Sequence, residues 1–195
     1  MQWQVWTSLR LDQDHDLVAS VDDRPCHIGS KVSVRCGGDF FYDGSGQDCS
    51  GDLLLVAGGV GITPIASIAR HAVDLQEKLK KQNKRSSSKK VVLLYSAVET
   101  GEFLFENHFR SLSVKNSYFQ VFFYITGQER YSTSVPQGYQ FGRINSHVLH
   151  EKIQSLDRRR LLCYVCGPPP MSESVCKMLE HTGIDESQIL YEKWW

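Results

Sequence analysis

Two glycine-bearing turns carry most of the chemistry that this 195-residue sequence can offer. The first is Gly58-Gly59-Val60-Gly61-Ile62-Thr63-Pro64, which follows the apolar run Leu53-Leu54-Leu55-Val56-Ala57. Glycines placed after a buried strand let the backbone turn tightly and approach a ligand with no Cβ in the way. The helix that must follow turns unpaired N–H groups, and the positive end of its dipole, toward the same spot. A pyrophosphate is the natural occupant. The spacing is not the G-x-G-x-x-G of the Rossmann fingerprint, and no Lys-Ser/Thr pair follows as a P-loop requires. The second turn is Cys166-Gly167-Pro168-Pro169-Pro170-Met171. Gly167 permits close approach, the prolines stiffen the chain, and a polarizable sulfur at a strand end suits the edge of a flat ring. Taken singly, each turn also reads as a merely tight or rigid strand-to-helix connection.

Both turns need strands and helices to hold them. Five apolar runs read as strands: 53–57, 91–95, 119–125, 161–165 and 189–191. They alternate with amphipathic stretches. A helix opens after the first turn, with Thr63 as its N-cap and Pro64 in its first turn. Its Ile65, Ile68, Ala69, Ala72 and Leu79 recur at helical spacing and would face a sheet. Further helices are expected over 102–112, 145–156 and 172–181, and a polar loop over 126–142. Such alternation predicts an α/β fold: a five-stranded, doubly wound parallel sheet with right-handed crossovers, spanning residues 51–195. Ligands in these sheets bind at the carboxyl ends of the strands, where both glycine turns lie. Residues 1–50 differ. Lys31–Cys36 alternates polar and apolar, and Gly37-Gly38-Asp39 turns the chain into Phe40-Phe41-Tyr42. This reads as the remnant of an antiparallel β-barrel rather than a complete domain.

Composition excludes several classes of function. Lysine plus arginine, 22, balances aspartate plus glutamate, 22, so nothing electrostatic favours nucleic acid or an anionic membrane. No apolar run approaches the roughly 20 residues of a transmembrane helix. The opening Met1-Gln2-Trp3-Gln4-Val5-Trp6 has no leader character, and the chain reads as soluble and intracellular. The basic, serine-rich stretch 80–90 reads as a solvated helix end and loop. Cys163 and Cys166 match C-x-x-C, but on a strand they point to opposite faces, which argues against a shared metal or a disulfide. His147 and His150 lack a third ligand. No metal site is expected.

The G-G-x-G-I-T-P loop, the strand ending in C-G-P-P-x-M and the aromatic terminus Glu192-Lys193-Trp194-Trp195, in that order, resemble the ferredoxin–NADP⁺ reductase superfamily. Gly37-Gly38-Asp39-Phe40-Phe41-Tyr42, Tyr95-Ser96-Ala97 and Gly142-Arg143-Ile144 add to the likeness, which covers about residues 26–195. The resemblance implies that Gly58, Gly59, Val60, Gly61, Ile62, Thr63 and Pro64 hold the pyrophosphate of a nicotinamide nucleotide. Cys166, Gly167 and Pro168 would border the nicotinamide where hydride leaves it, supported by Met171. Trp195, with Trp194, would lie against an isoalloxazine ring, with Glu192 as a polar neighbour. Cys166 and Trp195 are thus the implied catalytic positions. Relatives specific for NADP place a serine–arginine pair after the third strand; here stands Thr126-Gly127-Gln128-Glu129-Arg130, and Glu129 beside Arg130 favours NAD over NADP. The resemblance also implies FAD and a mitochondrial setting. The family's Arg-x-Tyr-Ser flavin motif is missing, however: Arg24-Pro25-Cys26-His27 and Arg130-Tyr131-Ser132 only imitate parts of it.

Three readings stand at this point. One is an NAD(P)H-dependent oxidoreductase passing hydride between nicotinamide and a flavin, with an unidentified electron acceptor. A second is a non-catalytic NAD(H)-binding module. The third is a partner-docking fragment, which predicts exposed apolar surface around Trp3, Trp6 and Phe40–Tyr42.

Overall fold

The computed structural model describes residues 9–11, 17–19, 39–44, 51–82, 89–127 and 136–193, with 9–11, 17–19 and 193 described by backbone alone. The chain divides into two compact units, Met1–Phe41 and Tyr42–Trp195. In the first, β1 (Leu9–Leu11) pairs antiparallel with β2 (Leu17–Ala19), Leu9 opposite Ala19. The strand expected at Lys31–Cys36, the glycines of the turn after it, Trp3 and Trp6 lie outside the described residues. Of Phe40–Tyr42, only Phe41 is exposed.

The second unit is built on a parallel sheet of six strands: β3 (Leu53–Gly58), β4 (Val91–Ala97), β5 (Phe119–Ile125), β6 (Tyr139–Phe141), β7 (Leu162–Gly167) and β8 (Ile189–Lys193). Their spatial order is β6-β5-β4-β3-β7-β8. The expectation of five strands is therefore corrected to six. The addition is β6, which lies within the stretch read as loop; it pairs with Phe123–Ile125 over only three residues at the sheet edge. An element so short is defined by its neighbour's hydrogen bonds, not by its own composition.

Four helices cover the sheet: α1 (Ile62–Lys81), α2 (Glu106–Lys115), α3 (Ser146–Ile153) and α4 (Pro169–His181). Strand alternation sends Leu54, Val56, Leu94, Cys163 and Val165 to one face, where they pack with Leu149 and Ile153 of α3 and Val175, Cys176 and Leu179 of α4. The opposite face carries α1 against β3, β4 and β7, and α2 against β5. This is the doubly wound arrangement expected. Leu53, Leu54, Leu55 and Val56 are completely buried, each worth about 1.5–3 kcal/mol of transfer free energy, because β3 is covered on both faces.

Helix starts depart from expectation for local reasons. Gly59–Gly61 winds into a 3-10 turn that runs directly into α1, so Gly61 occupies the N-cap position. Thr63 does not cap; its Oγ1 donates to the Val60 carbonyl at 3.1 Å from inside the first turn. Helix α2 starts at Glu106 because Phe105 takes a left-handed conformation, φ 60°, that breaks any continuous helix from residue 102. Helix α4 begins at Pro169, three residues early, since proline tolerates the first helical positions. Asn145 caps α3, its Oδ1 accepting from the Val148 amide at 3.0 Å.

Candidate nucleotide-binding site

The strand order reverses between β3 and β7: β4 and then β5 and β6 lie to one side of β3, β7 and then β8 to the other. A doubly wound sheet opens a crevice outside the carboxyl ends at such a reversal. Register brings the ends into line. Gly58 pairs with Ser96, Ala57 with Cys166, Ala97 with Ile125, and Cys166 with Glu192. A cleft of about 430 Å³ opens on this edge, lined among others by Gly58, Gly59, Ser96, Thr126, Pro168 and Met171.

The glycines serve two different ends. Gly61 lies against the backbone of Cys166 and Gly167, where no side chain fits. A Cβ on Gly58 would meet the Met171 Sδ at 2.3 Å, and one on Gly167 the Gly58 Cα at 3.2 Å. These three glycines let β3, β7 and the first turn of α1 close on each other. Gly59 is different. It has φ +52°, and no atom lies within 4 Å of where a side chain would begin. Its backbone borders the cleft directly, at the start of the turn leading into α1. Backbone exposed there suits a phosphate.

The second turn offers stiffness rather than donors. Pro169 and Pro170 carry no N–H, and the Met171 and Ser172 amides both donate to the Pro168 carbonyl, at 2.9 and 3.0 Å. Helix α4 therefore presents no free amide in its first turn. Ser172 Oγ, fully buried, donates to the Gly167 carbonyl at 3.2 Å and fixes the turn from within.

Of the implied site residues, Gly58, Gly59, Thr126, Pro168 and Met171 come together around the cleft. Thr126 Oγ1 donates to the Ala97 carbonyl at 3.1 Å, binding the end of β5 to that of β4. Val60 points to solvent, while Gly61, Ile62, Pro64, Cys166 and Gly167 are buried beneath the edge. Thr63 opens instead onto a groove between α1 and α2, shared with Arg70, His71, Phe105 and His108. Trp194, Trp195, Glu129 and Arg130 lie outside the described residues. Cys163 and Cys166 are both buried; alternation puts Cys163 with Cys176 in the core under α3 and α4 and Cys166 on the other face. Burial pushes the Cys163 thiol up to about 12. Among the described residues, no three histidine, cysteine or acidic side chains gather as a metal site would need. No helix among them is long and apolar enough to cross a membrane.

Sequence reasoning missed Glu102, Arg143, Ile144, Pro170, Ser174 and Val175 as cleft residues. Among the described residues of its lining, Glu102 and Arg143 carry the formal charges. The Glu102 carboxylate accepts from the Val98 amide through Oε2 at 3.0 Å. Its carbonyl accepts from the Tyr95 hydroxyl at 3.3 Å, and that hydroxyl accepts from the Leu104 amide at 3.2 Å. Tyr95 is thus the post to which the Glu102 loop is tied. Burial pushes its phenol up to about 12. At the other side of the edge, Glu192 Oε2 is buried with no hydrogen-bond partner among the described residues, and desolvation raises its carboxyl above the usual range. The advance signals were Pro170 in the second turn and the resemblance of Tyr95-Ser96-Ala97, Gly142-Arg143-Ile144 and Glu192 to a family pattern; Glu102, Ser174 and Val175 had none.

Comparison with known proteins agrees with this architecture. The family model for the oxidoreductase NAD-binding domain matches residues 55–177. Among curated proteins, the chain is 40% identical over 172 residues to oxidoreductase NAD-binding domain-containing protein 1 of Danio rerio, covering 87% of this chain and 62% of that relative. Among solved structures, the flavohem-like FAD/NAD binding domain of nitric oxide dioxygenase from Vibrio cholerae is 26% identical with a TM-score of 0.60, covering 81% of this chain and 55% of that one. The CS-b5R domains of human Ncb5or share the fold at 18% identity and a TM-score of 0.65, covering 97% of this chain and 54% of that one. The resemblance to ferredoxin-reductase-like proteins holds, and the chain belongs to the oxidoreductase NAD-binding domain family.

Proposed function

We propose that this chain binds a nicotinamide dinucleotide in the cleft at the β3–β7 reversal and forms the nucleotide half of an NAD(P)H-dependent oxidoreductase. The observation that carries the reading is Gly59: left-handed, unobstructed, bordering the cleft and leading into α1. An NAD pyrophosphate fits the open backbone at Gly59, and the mostly apolar wall of Ala97, Val98, Ile144, Pro168 and Val175 suits flat rings. Bound NADH would supply hydride. In this reading Gly58, Gly59 and Thr126 border the nucleotide, the rest of the Gly58–Pro64 turn shapes the backbone beneath or beside them, Met171 supports the turn after β7, and Cys166, Gly167 and Pro168 underlie the nicotinamide end. Trp195 would cover a flavin, as the resemblance implies.

Residues 1–50 are proposed as part of a flavin-binding barrel and 51–195 as the NAD domain. The antiparallel β1–β2 pair supports an all-β first unit. The acceptor is a protein or small molecule outside this chain, and a mitochondrial setting is carried by the resemblance alone. A second reading, an NAD(H)-binding module without its own flavin, is favoured by one observation: the Arg-x-Tyr-Ser motif is absent from the sequence.

The test is to purify the full chain, record its visible spectrum and titrate NADH under anaerobic conditions. A yellow protein that bleaches supports the oxidoreductase. A colourless protein that binds NADH without redox change supports the module. A chain that binds neither NADH nor NADPH overturns both.

A further inference from the structure

Among the described residues the cleft has two charges on its lining, Glu102 after β4 and Arg143 after β6, and they form no salt bridge with one another or with any other described residue. Arg143 is exposed at its rim, beside the buried Ile144. Glu102 is held in place by three backbone contacts of its loop: its carboxylate on the Val98 amide, its amide on the Glu99 carbonyl at 3.2 Å, and its carbonyl on Tyr95. Only Oε2 is used in the first contact, which leaves Oε1 to accept from a ligand. A carboxylate oxygen beside a dinucleotide site accepts from a ribose diol and repels a phosphate on the same sugar. A guanidinium at a cleft rim favours an anionic group and binds phosphate in a fork. The donor-free first turn of α4 leaves that side of the cleft without backbone amides for a phosphate, so a cation there has work that no helix end performs.

We propose that Glu102 and Arg143 together select the nucleotide: Glu102 accepts from the adenosine ribose and rejects a 2′-phosphate, while Arg143 pairs with the pyrophosphate. This inference rests on the nucleotide-binding reading above and deepens it by assigning NAD(H) over NADP(H) to particular side chains. Glu102 does so from the end of β4, not from the segment after β5 where relatives specific for NADP carry their serine–arginine pair. Both residues are exposed, so their effect is partly screened and fades with salt.

The experiment is fluorescence or calorimetric titration of the full chain with NADH, NADPH and ADP-ribose at low and high salt. Wild type should prefer NADH over NADPH by about tenfold or more, a modest coupling for a screened charge. Glu102→Gln keeps an acceptor for the Val98 amide and removes the charge; it should bring the two affinities within about threefold. Arg143→Gln should weaken NADH and ADP-ribose alike by about tenfold, and Arg143→Lys should restore part of the loss. Thermal unfolding of each variant shows that the fold survives. An unchanged NADH-to-NADPH ratio in Glu102→Gln, or an unchanged ADP-ribose affinity in Arg143→Gln, overturns the selection inference while leaving nucleotide binding intact. Wild type that binds no nucleotide overturns the underlying reading and the inference with it.

Discussion

A methyl group on Gly61 would lie 2.3 Å from the carbonyl oxygen of Cys166, so the two turns that frame the cleft touch backbone to backbone. The first turn of α1 and the end of β7 are thereby one rigid unit. No side-chain rotation can relieve the clash, because the obstacle is main chain.

Gly61→Ala should accordingly destabilise the protein by about 2–4 kcal/mol, in the range of severe overpacking. Gly59→Ala should cost only about 1 kcal/mol, since its burden is a left-handed φ in open space. Urea unfolding of both variants checks the ranking. Equal losses would mean that the turns are not in backbone contact.

Tyr95→Phe removes the hydroxyl that joins Glu102 to Leu104. A loss of about 1–2 kcal/mol is expected for two hydrogen bonds. The phenol also makes stability fall at alkaline pH. Its ordinary value of 10.0 rises to about 12 on folding, so the neutral form is the one the fold favours. The contribution is complete below pH 10 and is lost as pH climbs toward 12. Wild type and Tyr95→Phe should therefore converge in stability across that window. Parallel curves would remove Tyr95 from the account.

Burial acts on Glu192 in the same direction, but in an acid range of pH. Its carboxyl is raised above the ordinary 4.5 by desolvation, so the folded state prefers it protonated. The stability linked to it is present below pH 4.5 and lost as pH rises through the folded value. Glu192→Gln should raise the midpoint of thermal unfolding at pH 7 and leave it unchanged at pH 4. A destabilised variant at pH 7 would show that the carboxylate has a charge partner in the folded protein.

Cys163, Cys166 and Cys176 are all buried. Mapped alkylation with iodoacetamide should leave these three unmodified in the native chain and label them after unfolding in urea. Rapid native labelling of Cys163, whose thiol is pushed up to about 12, would contradict its place in the core.

Much of this arrangement is legible from residue order alone, and the exceptions have a common cause. The apolar runs of β3, β4 and β7 announce themselves because strands covered on both faces need no polar residues. The glycine turns stand out for the same reason: few residues fit where backbones meet. Edge strand β6 has three residues, none fully buried, and draws its identity from Phe123–Ile125. Glu102 and Arg143 are single charges in separate connections, and only the register of β4, β5 and β6 brings them to one cleft. The Thr63 cap fails because a 3-10 turn of glycines takes over the helix start. Periodicity sees elements that pack; it does not see residues assembled by topology.

The paired prolines that open α4 have one further consequence. A dinucleotide carries its charge at its waist and unlike rings at its two ends, so a symmetric seat would accept it in either direction. Pro170, with no N–H, acts as an electrical insulator on the cleft lining, to which Gly59 brings open backbone. On the proposed reading the seat has a polarity of its own, which would decide the heading of the dinucleotide that fills it.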